Sequence, residues 1–105
     1  MRVLFDQGTP VPLRKFLILH LVETAFERGW HQLKNGELIQ EAELAGFEVM
    51  ITTDQNLKYQ QQLKGRLLAI VVLTTTSWPK IRSQVARVVA AVDSAAPGSY
   101  IEVSV

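Results

Sequence analysis

Short apolar runs alternate with amphipathic stretches along the whole chain. Arg2 to Phe5 is short and apolar, as a buried parallel strand should be. Thr9-Pro10 then opens a helix, with proline tolerated in the first turn and Leu13, Phe16 and Leu17 on one face. His20 to Glu23 alternates as a second strand, and Thr24 to Arg28 is a helical turn that Gly29 ends. Asn35 is placed to cap a helix reaching about Ala45, closed by Gly46, with Leu38, Ala42 and Ala45 as its buried stripe and Glu37 in its first turn.

Phe47 to Thr52 is the next strand, after which Asp54 caps a polar helix, Gln55 to Leu63, that Gly65 terminates. Leu67 to Leu73 is the most apolar strand and the natural centre or near-centre of the sheet. A hydroxyl-rich loop, Thr74 to Ser77, leads to Pro79 and a long last helix with Ile81, Val85, Val88, Val89 and Val92 on one face. Ala96-Pro97-Gly98 turns the chain into an edge strand from Tyr100 to Val105. Strands alternating with helices predict a three-layer α/β/α domain over residues 1–105 with a mostly parallel sheet and right-handed crossovers.

Composition narrows the function classes. A hydrophobic content of 48% with 20% charged residues is that of a globular protein. The net charge of +1 argues against one large basic face for nucleic acid while allowing a local basic rim. Zero cysteines removes thiolate catalysis and zinc-thiolate sites, and two histidines make a histidine metal site improbable. Arg2 is followed by three apolar residues before Asp6, fewer than a signal peptide needs, and the run from Leu67 to Leu73 is too short to span a bilayer. A cytoplasmic protein without a membrane partner is expected.

The candidate chemistry lies at strand ends. Two apolar strands each hand over an acid, Asp6 after Phe5 and Asp54 after Thr52-Thr53, and ligands of open α/β sheets bind beyond the carboxyl ends of strands. Glu37, and with it Glu41, comes from a helix flank that the same topology brings near. Carboxylates held close repel unless one is protonated or a hard cation neutralises them, and Mg²⁺ or Mn²⁺ suits an all-oxygen set. Such a cation serves phosphodiester hydrolysis. Each acid also has a structural reading: Asp54 as an N-cap, Glu37 as a dipole partner, Asp6 as an Asx-turn residue before Gly8.

Three segments carry a family resemblance: Val3-Leu4-Phe5-Asp6-Gln7, Asn35-Gly36-Glu37-Leu38 and Thr52-Thr53-Asp54-Gln55-Asn56. On these the chain resembles, over nearly its whole length, the small single-domain branch of the PIN-like nuclease superfamily. The resemblance implies RNA cleavage with Mg²⁺ or Mn²⁺, Asp6, Glu37 and Asp54 as catalytic metal-binding acids, Glu41 as a fourth, and an antitoxin protein as partner. Thr74 to Thr76 stand where a fuller nuclease places another acid, which leaves one cation as the expectation, or a fold that has lost activity.

Around this site Thr52, Asn56 and Lys58 are candidates for substrate contact, and Lys58, Lys64, Arg66, Lys80, Arg82 and Arg87 for an RNA backbone or a solvated face. His20 and His31 read as structural or surface residues, and Trp30 and Trp78 as packing residues, with Trp78 the nearer to a ligand. Two other functions fit the same sheet: an inactive interaction module, and a receiver-like phospho-acceptor with Asp54 as acceptor, Asp6 as metal acid and Thr75 or Thr76 with Lys80 as switch pair. The apolar edge at Tyr100 to Val105 offers a homodimer contact.

Overall fold

The computed structural model describes residues 1–60, 63 and 65–105. Five strands, β1 (Arg2–Phe5), β2 (Leu21–Thr24), β3 (Val49–Thr52), β4 (Ala69–Leu73) and β5 (Tyr100–Val103), form one sheet in the order β2-β1-β3-β4-β5. Every pairing is parallel, with Phe5 opposite both Thr24 and Ile51 and with Thr52 opposite Val72. Each crossover therefore needs a connection over one face, and among the described residues four α-helices with one 3₁₀ helix provide the cover. They are the 3₁₀ helix Val11–Phe16, α1 (Asn35–Leu44), α2 (Leu57–Gln60), α3 (Trp78–Ser83) and α4 (Val85–Asp93).

Alternation along the strands divides the core into two layers. Val3, Phe5, Val49, Ile51, Ala69, Val71 and Leu73 face one side with Leu13, Leu17, Ile81, Val88 and Val92. Leu4, Met50, Ile70 and Val72 face the other with Leu38, Ile39, Ala42 and Leu57. The three-layer α/β/α architecture is thus present, with an all-parallel sheet where a mostly parallel one is expected.

Several boundaries differ from those read in the sequence. The second strand is Leu21–Thr24, one residue later than His20 to Glu23, because the His20 side chain turns inward to the Met1 amino nitrogen at 3.1 Å and Asp93 at 2.6 Å. The strands expected from Phe47 and Leu67 start at Val49 and Ala69. The long helix expected after Pro79 is two, broken at Gln84 (φ −120°, ψ 22°). There the Ser83 hydroxyl donates to the Lys80 carbonyl at 2.7 Å and the Gln84 amide donates to Ile81 rather than Lys80, tightening the turn and ending the first helix. The polar helix expected over Gln55 to Leu63 is seen as Leu57–Gln60, and Gln61, Gln62 and Lys64 lie outside the described residues. Gly46, at φ +86°, closes α1 in the left-handed region that favours glycine. No helix among the described residues is long and apolar enough to cross a membrane.

One ion pair fastens the loop after β1 to the turn after β2. Arg14 donates to both oxygens of Glu27 at 2.8 and 3.1 Å, and Glu27 also accepts the Thr24 amide at 2.9 Å. The Arg14 guanidinium, followed by the Thr24 amide, lowers the Glu27 pKa below its ordinary 4.5. A lowered carboxylate value stabilises the fold above the unfolded pKa, and that contribution is lost as pH falls through the folded one. Glu27→Gln is therefore expected to flatten the acid limb of the stability profile below pH 4.5, read by denaturant melts across pH. At the sheet centre, Ile51 is fully buried, so Ile51→Ala should cost about 2–5 kcal/mol in urea unfolding.

Candidate functional site

The strand order reverses direction between β1 and β3, where the chain leaves β1 over one face and β3 over the other. In doubly wound sheets of this order, that switch point is where a crevice opens beyond the carboxyl ends. Asp6 follows β1 and Asp54 follows β3 at this place. The Asp6 amide donates to the Ile51 carbonyl at 3.0 Å, so the ladder between the strands continues up to the acid itself.

Asp6 is oriented from both sides. Its Oδ1 accepts the Gly8 and Thr9 amides, each at 3.1 Å, and lies 2.7 Å from the Thr9 hydroxyl, which also sits 2.9 Å from the Ile51 carbonyl. The Asx turn before Gly8 is therefore present. Oδ2 accepts the hydroxyl of fully buried Thr52. The same Thr52 oxygen accepts the Asp54 amide at 3.0 Å, so one hydroxyl couples the two acids' loops. Gly8 permits the close packing here: a Cβ on it would stand 2.2 Å from the Thr53 hydroxyl.

Asp54 is held by two asparagines. Its Oδ1 accepts the Asn56 amide at 2.9 Å, and its Oδ2 accepts the Asn35 side-chain amide. Gln55 donates to the Thr74 carbonyl at 3.1 Å, tying this loop to the hydroxyl-rich one after β4. Asn35 is not the cap of α1. The Glu37 carboxylate reaches back to the Lys34 amide at 3.3 Å, so the helix starts on Lys34 and Asn35 is its first helical residue, free to turn its side chain to Asp54. The positive end of the α1 dipole is thereby directed at the Asp54 loop, favourable for an anion.

The expected acids do not all converge. Among the described residues no three of His, Asp and Glu are grouped to hold one metal ion. Glu37 uses its carboxylate in the capping box at its own helix end, and Glu41 stands exposed one turn further along α1. Asp6 and Asp54 follow adjacent strands at one edge, and the Thr52 hydroxyl bonds the Asp6 carboxylate and the Asp54 main-chain amide. Thr52 is thus a buried bridge within the site rather than a surface for substrate.

Neither a family model, a curated protein nor a solved structure matches this chain. Function is therefore argued from the site.

The donor set fits one hard cation. Mg²⁺ is commonly held by one or two carboxylates and keeps waters in its other positions, and ligating carboxylates are themselves hydrogen-bonded from outside. Asp6 and Asp54 have that form, with Thr9, Thr52, Asn35 and Asn56 as the outer partners. A cage of three acids has no counterpart among the described residues.

The basic candidates separate by place. Lys58 bonds Glu102 at 3.1 Å and lies over the Tyr100 ring, at the β5 edge. Arg66 pairs with Glu43 at 3.5 Å near the opposite, amino end of the strands, and Arg87 donates to the Ser104 carbonyl at 2.6 Å. Lys80 and Arg82 stand exposed on α3, and Asn56 is exposed beside Asp54. Lys64 lies outside the described residues. Trp78 packs on Phe16 and Trp30 on Phe47, as packing residues should. Asn35 and Thr9 are the site residues that sequence reading missed; Thr9, three residues after Asp6, carries the spacing of a side-chain-closed turn and could have been found.

Thr52→Val, which keeps the shape and removes the hydroxyl, is expected to destabilise the fold by about 1–3 kcal/mol, since it strips a partner from Asp6 and from the Asp54 amide. Thr52→Ser should recover most of that loss in the same denaturant titration.

Proposed function

We propose that this chain is a Mg²⁺- or Mn²⁺-dependent ribonuclease that hydrolyses phosphodiester bonds at the carboxyl edge of its sheet. The observation that carries this reading is the placing of Asp6 and Asp54 on adjacent strand ends at the switch point, Asp6 oriented by Gly8 and Thr52 and Asp54 by Asn56 and Asn35. RNA as substrate and an antitoxin-like protein partner come from the resemblance to PIN-like nucleases, and a cytoplasmic setting from the sequence's short apolar runs and lack of cysteine. A cation bound by the two carboxylates would stabilise negative charge developing on the phosphoryl oxygens.

The chain's own residues supply position. Thr52 and Thr9 fix the Asp6 carboxylate, while Asn35 and Asn56 fix Asp54, so little reorganisation is needed when the site is used. The amino end of α1, facing the same loop, offers its dipole to a phosphate group. Exposed Lys34, immediately before α1, adds a mobile positive charge at that rim. Glu37 keeps α1 in register through Lys34 and acts on Asp54 only through the placing of Asn35.

The test is cleavage of single-stranded RNA by the purified protein with Mg²⁺ or Mn²⁺, with and without chelator. Asp6→Asn and Asp54→Asn should each abolish chelator-sensitive cleavage, whereas activity surviving both would remove the site from consideration. Asn35→Ala should weaken Mn²⁺ binding by ~10–100-fold, the usual cost of losing an outer partner, measured by calorimetric titration.

The strand order is also that of receiver-like sheets, which keeps a phospho-acceptor reading in view. Asp54, however, lies two residues beyond the last residue of β3, within the loop rather than at the strand end. Incubation with a small phosphodonor is accordingly expected to leave Asp54 unlabelled by mass spectrometry.

A further inference from the structure

Among the described phenylalanine, tryptophan and tyrosine side chains, Phe26 alone is exposed, at 70%. A single apolar side chain in water needs no explanation by itself, so its place on the fold decides what it means. Phe5 stands opposite Thr24, and the Ala25 amide donates to the Phe5 carbonyl at 2.8 Å. Ala25 is therefore level with Asp6 on the neighbouring strand, about 5 Å away. Phe26 is the next residue. The connection that starts with it ends at Asn35, whose side chain donates to Asp54, so residues 26–35 border the carboxyl edge from one acid to the other.

The ring is presented on a stiff turn. The Gly29 amide donates to the Phe26 carbonyl at 3.0 Å, the Arg28 amide to Thr24 at 3.1 Å and the Trp30 amide to Ala25 at 2.8 Å. The Phe26 and His31 rings lie 5.3 Å apart at 42°, and the side chain of Gln7, next to Asp6, donates to the His31 carbonyl. The ring pair is thus tied to the loop that carries Asp6. Arg14 takes both oxygens of Glu27, so the carboxylate that follows Phe26 is paired. Exposed Lys34 and the amino end of α1 make the same border attractive to a phosphodiester.

An open aromatic ring beside a border that attracts phosphate is the combination single-stranded nucleic acid uses, because every base has a π-face to stack while the backbone carries the charge. A protein partner needs a wider apolar surface than one ring. Here the exposed aliphatic side chains Ile18, Leu19, Leu21, Leu44 and Leu67 stand toward the amino ends of the strands, away from Phe26. We propose that Phe26, steadied by His31, is the stacking platform for one unpaired base of an RNA whose phosphodiester lies at Asp6 and Asp54. The platform rests on the ribonuclease reading of those acids and makes the substrate single-stranded at that position, since a base within a duplex has no free face to offer.

Binding is read apart from cleavage in the Asp6→Asn chain with chelator present, using a short single-stranded RNA that carries one 2-aminopurine. Adding Phe26→Ala should weaken binding by about 5- to 100-fold, the usual loss of one stacked base, and remove the fluorescence quenching that stacking causes. Phe26→Trp should keep both, and binding of a duplex of the same sequence should not respond to Phe26→Ala. Unchanged RNA binding and quenching in Phe26→Ala would overturn the platform and leave the ring to a protein contact. An equal loss for single strand and duplex, or no binding of the single strand at all, would overturn it too. Cleavage by the wild-type chain with Mn²⁺ separates the two readings: cleavage that persists while Phe26 proves indifferent removes the platform alone, and a chain that neither cleaves nor binds single-stranded RNA removes both.

Discussion

One buried hydroxyl joins the two halves of the carboxyl edge. Thr52 is fully buried, so its oxygen and proton both need partners, and an unsatisfied group there would cost on the order of 1–3 kcal/mol. Its proton goes to Asp6 and its lone pair takes the Asp54 amide. Because β1 and β3 are neighbours in register, this one side chain sets how far each loop travels before it turns. The Asx turn at Asp6, the close approach of Gly8 to Thr53 and the reach of Asn35 to Asp54 surround that hydroxyl.

The consequence is a site built from two strand ends and one helix start. The sheet supplies rigidity, since both acids leave strands whose last three residues are buried, and α1 supplies an amide and a dipole. A two-carboxylate site is a different chemical object from a three-acid cluster. It suits a single hard cation that keeps most of its waters, and it depends on outer hydrogen bonds to hold its ligands.

Much of this was legible in the sequence, for identifiable reasons. Short apolar runs with an acid just after them marked β1 and β3, and alternation of strands with helices implied a parallel sheet, which together put Asp6 and Asp54 on one edge. The third corner was not legible. Whether Asn35 or Lys34 caps α1 turns on one hydrogen bond from Glu37, and that bond both removes Glu37 from the acids and frees Asn35 to reach Asp54. The break at Gln84 was hidden as well, because the apolar stripe from Ile81 to Val92 continues across it. At the other end of the sheet, the apparent strand alternation at His20 concealed that His20 is pinned inward by Asp93 while its aliphatic neighbours face outward.

The most direct measurement is the paramagnetic broadening of backbone amide signals by substoichiometric Mn²⁺. Broadening centred on residues 6–9, 35 and 52–56, lost in Asp6→Asn, is the expected result. Broadening centred instead on Glu43 and Glu48 at the opposite end of the strands, or spread without a centre, would contradict a cation site shared by Asp6 and Asp54.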